Sequence, residues 1–250
     1  MTGTTPPGVQ GEREASRWVR EMFGRVAPRY DLLNHLLSFN LDKRWRTRTI
    51  NRIEPHLKRP NARILDLCCG TGDVLLAMER RGADDRFSSS ASVLGSDFCH
   101  PMLLEAKNKI ESHHFHSPLF EADALALPLP SNSLDLISIA FGFRNLANYE
   151  AGLKEFLRVL KPGGQLAILE FSQPSNRAFG AVYGFFSTRV LPWVGGRISG
   201  APEAYSYLPE SIRKFPGAEA LAQTMRTAGF SKVEFERMTG GAVALHLGWK

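Results

Sequence analysis

The chain is 250 residues long and 43% hydrophobic, enough to bury one full core with a modest appendage. Its 31 Lys and Arg against 25 Asp and Glu leave a net charge of +6, which permits attraction to anionic lipid or nucleic acid without choosing between them. Three cysteines, Cys68, Cys69 and Cys99, lack Cys-x-x-Cys spacing, which argues against a disulfide framework and favours a reducing compartment.

Residues 1–16 hold Pro6-Pro7-Gly8 and no apolar stretch, so they are expected to be unstructured, with neither a secretory signal nor an arginine-rich transit pattern. From Trp18 the apolar residues Val19, Met22, Phe23 and Val26 recur at helical spacing until Pro28. Asp31 is placed to cap a second helix whose stripe is Leu32, Leu33, Leu36 and Leu37, and a third runs from Asp42 through Trp45 to Ile53. Residues 17–58 are therefore expected to form a helical lid or support for one domain that extends to residue 250.

The run Ile64-Leu65-Asp66-Leu67-Cys68-Cys69 ends in Gly70-Thr71-Gly72, and Val74 onward can start a helix. Strand, tight glycine turn and helix bring bare backbone to a ligand at the carboxyl end of a parallel strand. Leu75 stands where a dinucleotide fingerprint needs its third glycine, and no Gly-Lys-Ser/Thr follows. Asp66 and Asp73 beside the turn would repel a polyphosphate and suit a cationic or zwitterionic ligand.

After a polar loop over residues 82–92, Val93 to Asp97 reads as a second strand whose terminal carboxylate can accept from both hydroxyls of a ribose. A helix from Met102 to Ser112 leads to His113, His114 and His116, which lack a fourth ligand at metal spacing, so no metal is assigned. A short third strand precedes Glu121-Ala122-Asp123-Ala124, and a fourth spans Leu134–Ala140. Beyond it stand Phe141 and Phe143, flat apolar surfaces able to flank an aromatic ring, with the polar pair Arg144 and Asn145. A helix ending in Lys161-Pro162-Gly163-Gly164 comes before a fifth strand. Residues 176–212 form an apolar insertion, interrupted by Arg189 and Pro192 and so too broken to span a membrane. Helix Ala218–Ala228, closed by Gly229, and strands Lys232–Glu236 and Ala242–Gly248 complete an expected α/β fold, a seven-stranded, mostly parallel sheet with helices on both faces.

The pattern Asp66-x-x-x-Gly70-Thr71-Gly72 with a later Asp97 resembles the cofactor site of class I S-adenosyl-L-methionine-dependent methyltransferases, which are Rossmann-like. Tyr30-Asp31-Leu32-Leu33-Asn34-x-x-Leu37-Ser38-x-x-x-Asp42-x-x-Trp45 resembles a signature of the demethylmenaquinone and ubiquinone C-methyltransferase family. It departs at Leu33, where methionine is common, and at Asp42, where histidine is usual, so no imidazole role carries over. Phe141 to Asn145, and Arg158 through Lys161-Pro162-Gly163-Gly164 to Glu170-Phe171-Ser172, resemble the same family. The resemblance implies S-adenosyl-L-methionine as methyl donor, bound by Gly70, Thr71, Gly72, Asp97, Asp123 and Ala124, with the last two along the adenine. It implies a prenylated quinol as acceptor, methylated on a ring carbon.

A ring carbon beside a phenolic hydroxyl gains nucleophilicity when that hydroxyl ionises, and a phenol with a pKa near ~10 is mostly neutral at physiological pH. Arg144 is expected to lower that pKa, Asn145 to hold the second quinol oxygen, and Tyr30 to close over the ring. The Cys68-Cys69-Gly70-Thr71 spelling is that of family members dedicated to menaquinone, so demethylmenaquinol is expected ahead of a ubiquinone-pathway benzoquinol or dual specificity. Expected partners are the quinol and the membrane surface, with a homodimer as a further expectation and no nucleic acid. The expected place is a bacterial cytoplasm, peripheral to the inner membrane. Competing readings are an RNA methyltransferase, opposed by the missing Asn/Asp-Pro-Pro-Tyr/Phe motif, and a non-catalytic scaffold of quinone enzymes, opposed by the intact glycine turn.

Overall fold

A segment that is apolar on both sides of its backbone needs cover on both faces, and Arg63-Ile64-Leu65-Asp66-Leu67 is such a segment. In the computed structural model, which describes residues 3–31, 38, 40–83, 91–174 and 202–250, it forms β1 (Arg63–Leu67) inside a seven-stranded sheet. The other strands are β2 (Ser92–Asp97), β3 (Leu119–Glu121), β4 (Leu134–Ala140), β5 (Leu160–Phe171), β6 (Lys232–Met238) and β7 (Val243–Trp249). Their order is β3-β2-β1-β4-β5-β7-β6. All neighbours run parallel except β7, which is antiparallel to both β5 and β6.

The helices are α1 (Glu12–Val26), α2 (Leu41–Leu57), α3 (Asp73–Ala83), α4 (His100–Ser112), α5 (Tyr149–Val159), α6 (Pro202–Lys214) and α7 (Ala218–Ala228). Period-two alternation sorts the strand residues between two cores. Leu65, Leu67, Ile137, Ile139, Leu166 and Ile168 pack with α5 and α7, while Ile64, Leu136, Ala167 and Leu169 pack with α2, α3 and α4. Asp66 shares the face of Ile64, which puts a carboxylate under the α3 side of the sheet.

Several boundaries differ from the sequence reading. Helix α1 starts at Glu12 rather than near Trp18, and residues 3–11, expected to be unstructured, lie against the domain. Thr4 donates its N–H to the Leu146 carbonyl at 2.8 Å, and its hydroxyl is 2.6 Å from that of Tyr207. That anchor joins residues 203 apart in the chain, a relation with no local signature. The expected Lys161-Pro162-Gly163-Gly164 turn is absorbed into β5 as an irregularity. There the β4 register shifts between Leu134 and Leu136, and the Gly163 N–H reaches the Lys250 carbonyl at 3.1 Å. The Leu32–Leu37 stripe, most of the 82–92 loop, and residues 176–201 of the apolar insertion lie outside the described residues.

Candidate active site

In an open α/β sheet, ligands bind beyond the carboxyl ends of the strands where the strand order reverses. Here that point lies between β1 and β4, and an open cleft lies there. Its walls come from the ends of four strands: Leu67, Cys68 and Gly70 after β1, Asp97 and Phe98 after β2, Ala122–Leu125 after β3, and Ala140–Gly142 after β4.

The turn after β1 is sharp because Cys68, Gly70 and Gly72 all have positive φ, of 55°, 55° and 83°. A Cβ at Gly142 would come within 2.4 Å of the Cys68 Cβ, so only glycine lets the turn after β4 pass so close to that after β1. The backbone N–H of Gly70 donates to Asp97 Oδ2 and that of Cys99 to Asp97 Oδ1, each at 2.9 Å. Two donors leave further lone pairs on the carboxylate for a ribose. Burial pushes the Asp97 carboxyl up to about 6, against the backbone donors that hold it down. Asp123 accepts from the Leu125 N–H at 2.9 Å through one oxygen.

Asp66 is more extreme. It is 1% exposed, its Oδ2 has no hydrogen-bond partner, and burial pushes its carboxyl up to about 8. It lines a recess beside the glycine turn together with Tyr30, Arg46, Thr71 and Phe141. Asp73, also expected to face a cationic ligand, lines the same recess, but its oxygens are held by Arg46 and by Lys109.

Of the expected cofactor residues, Gly70, Asp97, Asp123 and Ala124 line the cleft. Gly72 and Thr71 do not. A Cβ on Gly72 would lie 3.2 Å from that of Ala106 on α4, so this glycine permits close packing of the turn on that helix. Thr71 is 3% exposed and donates its hydroxyl to Asp31. The sequence reading missed Phe98 and Met102, which add apolar surface next to Asp97, and Ser16 and Phe23 of α1. An apolar pair after an acidic strand end was the available signal for the first two; the α1 residues had none.

The acceptor-side residues separate. Tyr30 and Asn145 line the cleft, and the Tyr30 Cε1 lies 3.9 Å from where a Gly70 Cβ would be. Arg144 is not among the lining residues. Its Nη1 donates to Glu170 Oε1 at 3.0 Å and to the Phe141 carbonyl, while its N–H donates to Glu170 Oε2 at 3.1 Å. Burial opposes the Arg144 charge, but the Glu170 carboxylate, together with Tyr30 and Tyr207, leaves its pKa raised. Phe143, expected to flank a ring, is fully buried and stacks on Tyr149 at 5.3 Å. Only Phe141 of the pair reaches the cleft, backed by Phe171 at 4.9 Å and Trp45 at 5.9 Å. Asp42 accepts from Ser38 at 2.6 Å and pairs with Arg46, away from the cleft.

One cleft thus gathers glycine backbone and carboxylates together with an aromatic ring and an amide. The model of the ubiE/COQ5 methyltransferase family matches residues 10–250. The chain belongs to that family. It is 50% identical to demethylmenaquinone methyltransferase of Thermus thermophilus over 91% of this chain and 99% of that protein. It is 41% identical to the ubiquinone/menaquinone biosynthesis C-methyltransferase UbiE of Azotobacter vinelandii, over 99% of this chain and 96% of that protein. Among solved structures, a SAM-dependent methyltransferase from Thermotoga maritima superposes with a TM-score of 0.62 at 18% identity, covering 92% of this chain and 99% of that one, which establishes the likeness of fold.

Proposed function

We propose that this family member transfers a methyl group from S-adenosyl-L-methionine to a ring carbon of a prenylated quinol, with demethylmenaquinol as the preferred acceptor. The observation that carries this is the make-up of the cleft: Gly70, Asp97, Asp123 and Ala124, which suit the donor, line it together with Tyr30, Phe141 and Asn145, which suit a ring acceptor. The donor fits the residues present. Asp97 keeps free lone pairs for ribose hydroxyls, Phe98 and Met102 offer apolar surface to a purine, and the unpartnered oxygen of Asp66 calls for a cation such as the donor's ammonium. When bound, the sulfonium supplies an electrophilic methyl group.

The protein's own task is to make the acceptor carbon nucleophilic and to hold it. Phe141 packs against one face of the ring, and the Asn145 amide hydrogen-bonds a quinol oxygen. Tyr207 donates to Asn145 Oδ1 at 3.0 Å and the amide Nδ2 donates to the Phe141 carbonyl at 3.4 Å, which leaves the second N–H of the amide to offer to the acceptor. Arg144 acts from behind these residues: paired with Glu170 it fixes the Phe141–Asn145 turn and adds positive potential that favours the phenolate. Each unit of phenol pKa shift corresponds to about 1.4 kcal/mol. Among the described residues no helix is long and apolar enough to cross a membrane, so a prenylated acceptor is met by peripheral contact with the bilayer surface.

Purified protein incubated with methyl-tritiated donor is expected to label demethylmenaquinol on a ring carbon, and the ubiquinone-pathway benzoquinol more slowly. Label in RNA, or in neither quinol although donor binds, would overturn the reading.

A further inference from the structure

Beside the cleft lies an ion cluster that the proposed chemistry does not use. Lys109, on α4, directs its ammonium to Asp31 Oδ2 at 2.5 Å, Asp73 Oδ1 at 2.6 Å and Thr71 Oγ1 at 3.2 Å. An ammonium has three donors, and all three are engaged. Thr71 donates to the other oxygen of Asp31, and Arg46 of α2 holds the other oxygen of Asp73 and reaches Asp42 at 3.2 Å. The Lys109 side chain is 21% exposed, and those of Asp73 and Asp31 are 23% and 33% exposed, so water screens these contacts only in part.

Lys109 and the groups it gathers come from three separate pieces of chain. Asp31 follows α1, Thr71 and Asp73 belong to the glycine turn and the start of α3, and Lys109 itself sits on α4. Asp31 is the neighbour of Tyr30, whose ring stands over Gly70 and lines the cleft. Holding the Asp31 side chain therefore restrains Tyr30 one residue away. Without the ammonium, the carboxylates of Asp31 and Asp73 would face each other with like charge, and the segment carrying Tyr30 would be pushed off the turn.

We propose that Lys109 is a positioning residue, a clasp that ties Asp31 to the glycine turn and thereby seats Tyr30 against the acceptor. The proposal rests on the methyltransferase reading for its substrate, and on the ion cluster alone for its structural part. The test compares Lys109→Met, Lys109→Arg and the double variant Asp31→Asn/Lys109→Met. Lys109→Met is expected to raise the acceptor KM roughly tenfold with a smaller change in kcat, because the contact of Tyr30 with the bound ring is what is lost. Donor affinity by calorimetry changes little, since Asp97 and Asp123 lie outside the cluster. Amide hydrogen exchange over residues 23–31 of the ligand-free protein becomes faster. Lys109→Arg restores most of the KM, and adding Asp31→Asn to Lys109→Met recovers part of it by removing the repulsion. Unchanged exchange over residues 23–31, or a lowered Tm with wild-type KM, would overturn the clasp. Absence of donor binding to the wild-type protein would overturn the methyltransferase reading and leave the exchange result to decide the clasp.

Discussion

Asp66 and Asp97 are both buried acids within reach of one turn, and their surroundings give them different tasks. Asp97 receives two backbone N–H groups and is pushed up to about 6, so at neutral pH it is an ionised acceptor. Asp66 keeps one oxygen without a partner and is pushed up to about 8 by burial, so in the ligand-free protein at pH 7 it mostly holds a proton. A cation brought against it favours the carboxylate and lowers that pKa. Donor binding at pH 7 is therefore expected to release up to about one proton, read from the dependence of the calorimetric enthalpy on the ionisation enthalpy of the buffer. The release should shrink above pH 8, where Asp66 is already ionised, and Asp66→Asn should abolish it. An enthalpy that ignores the buffer would remove Asp66 from the donor site. Arg144 shows the opposite limit of residue-level reading: its type was legible, but its partner Glu170 lies on another strand and its burial was not.

At the scale of elements, the sequence located helices and strands through periodicity and misjudged what some connecting residues were for. The glycine turn was read as wholly ligand-facing because Gly-x-Gly gives no sign of which glycine meets the ligand and which meets a helix. Gly72 meets α4. With φ at 83° and a Cβ that would lie 3.2 Å from Ala106, Gly72→Ala imposes both a left-handed backbone and a tight contact. The left-handed conformation alone costs roughly 1–2 kcal/mol for a residue with a side chain, and urea unfolding of Gly72→Ala should show at least that loss. A stability within a few tenths of the wild type would mean that the turn relaxes and that α3 and α4 are not locked there. Phe143 and Phe141 make the same point for aromatics: two residues apart beyond the end of β4, one enters the core with Tyr149 and the other the cleft, and sequence alone assigned both to the ring.

For the whole molecule, the order of strands and helices was legible because the central strands β1, β4 and β5 carry apolar residues on both sides and the helices on one. What escaped was contact between distant pieces: Thr4 on Tyr207, Lys250 on the β5 irregularity, Lys109 on Asp31. None of these has a period or a spacing that a single sequence reveals. The same limit applies to where the protein meets its acceptor, and physical bounds take over. A prenyl tail gains about 0.8 kcal/mol for each buried CH₂, so the long-tailed acceptor proposed above would stay in the bilayer, and the proposal then requires contact with the bilayer surface. The net charge of +6 makes electrostatic attraction to an anionic surface a testable source of such contact. Each basic residue near an anionic surface contributes about 1 kcal/mol, and the interaction decays over a Debye length of about 10 Å at 0.1 M salt. Co-sedimentation is therefore expected with vesicles rich in anionic lipid at low salt, to weaken steeply as salt rises, and to be absent with zwitterionic vesicles. Binding that is equal on both surfaces and indifferent to salt would instead point to insertion of apolar surface as the anchor.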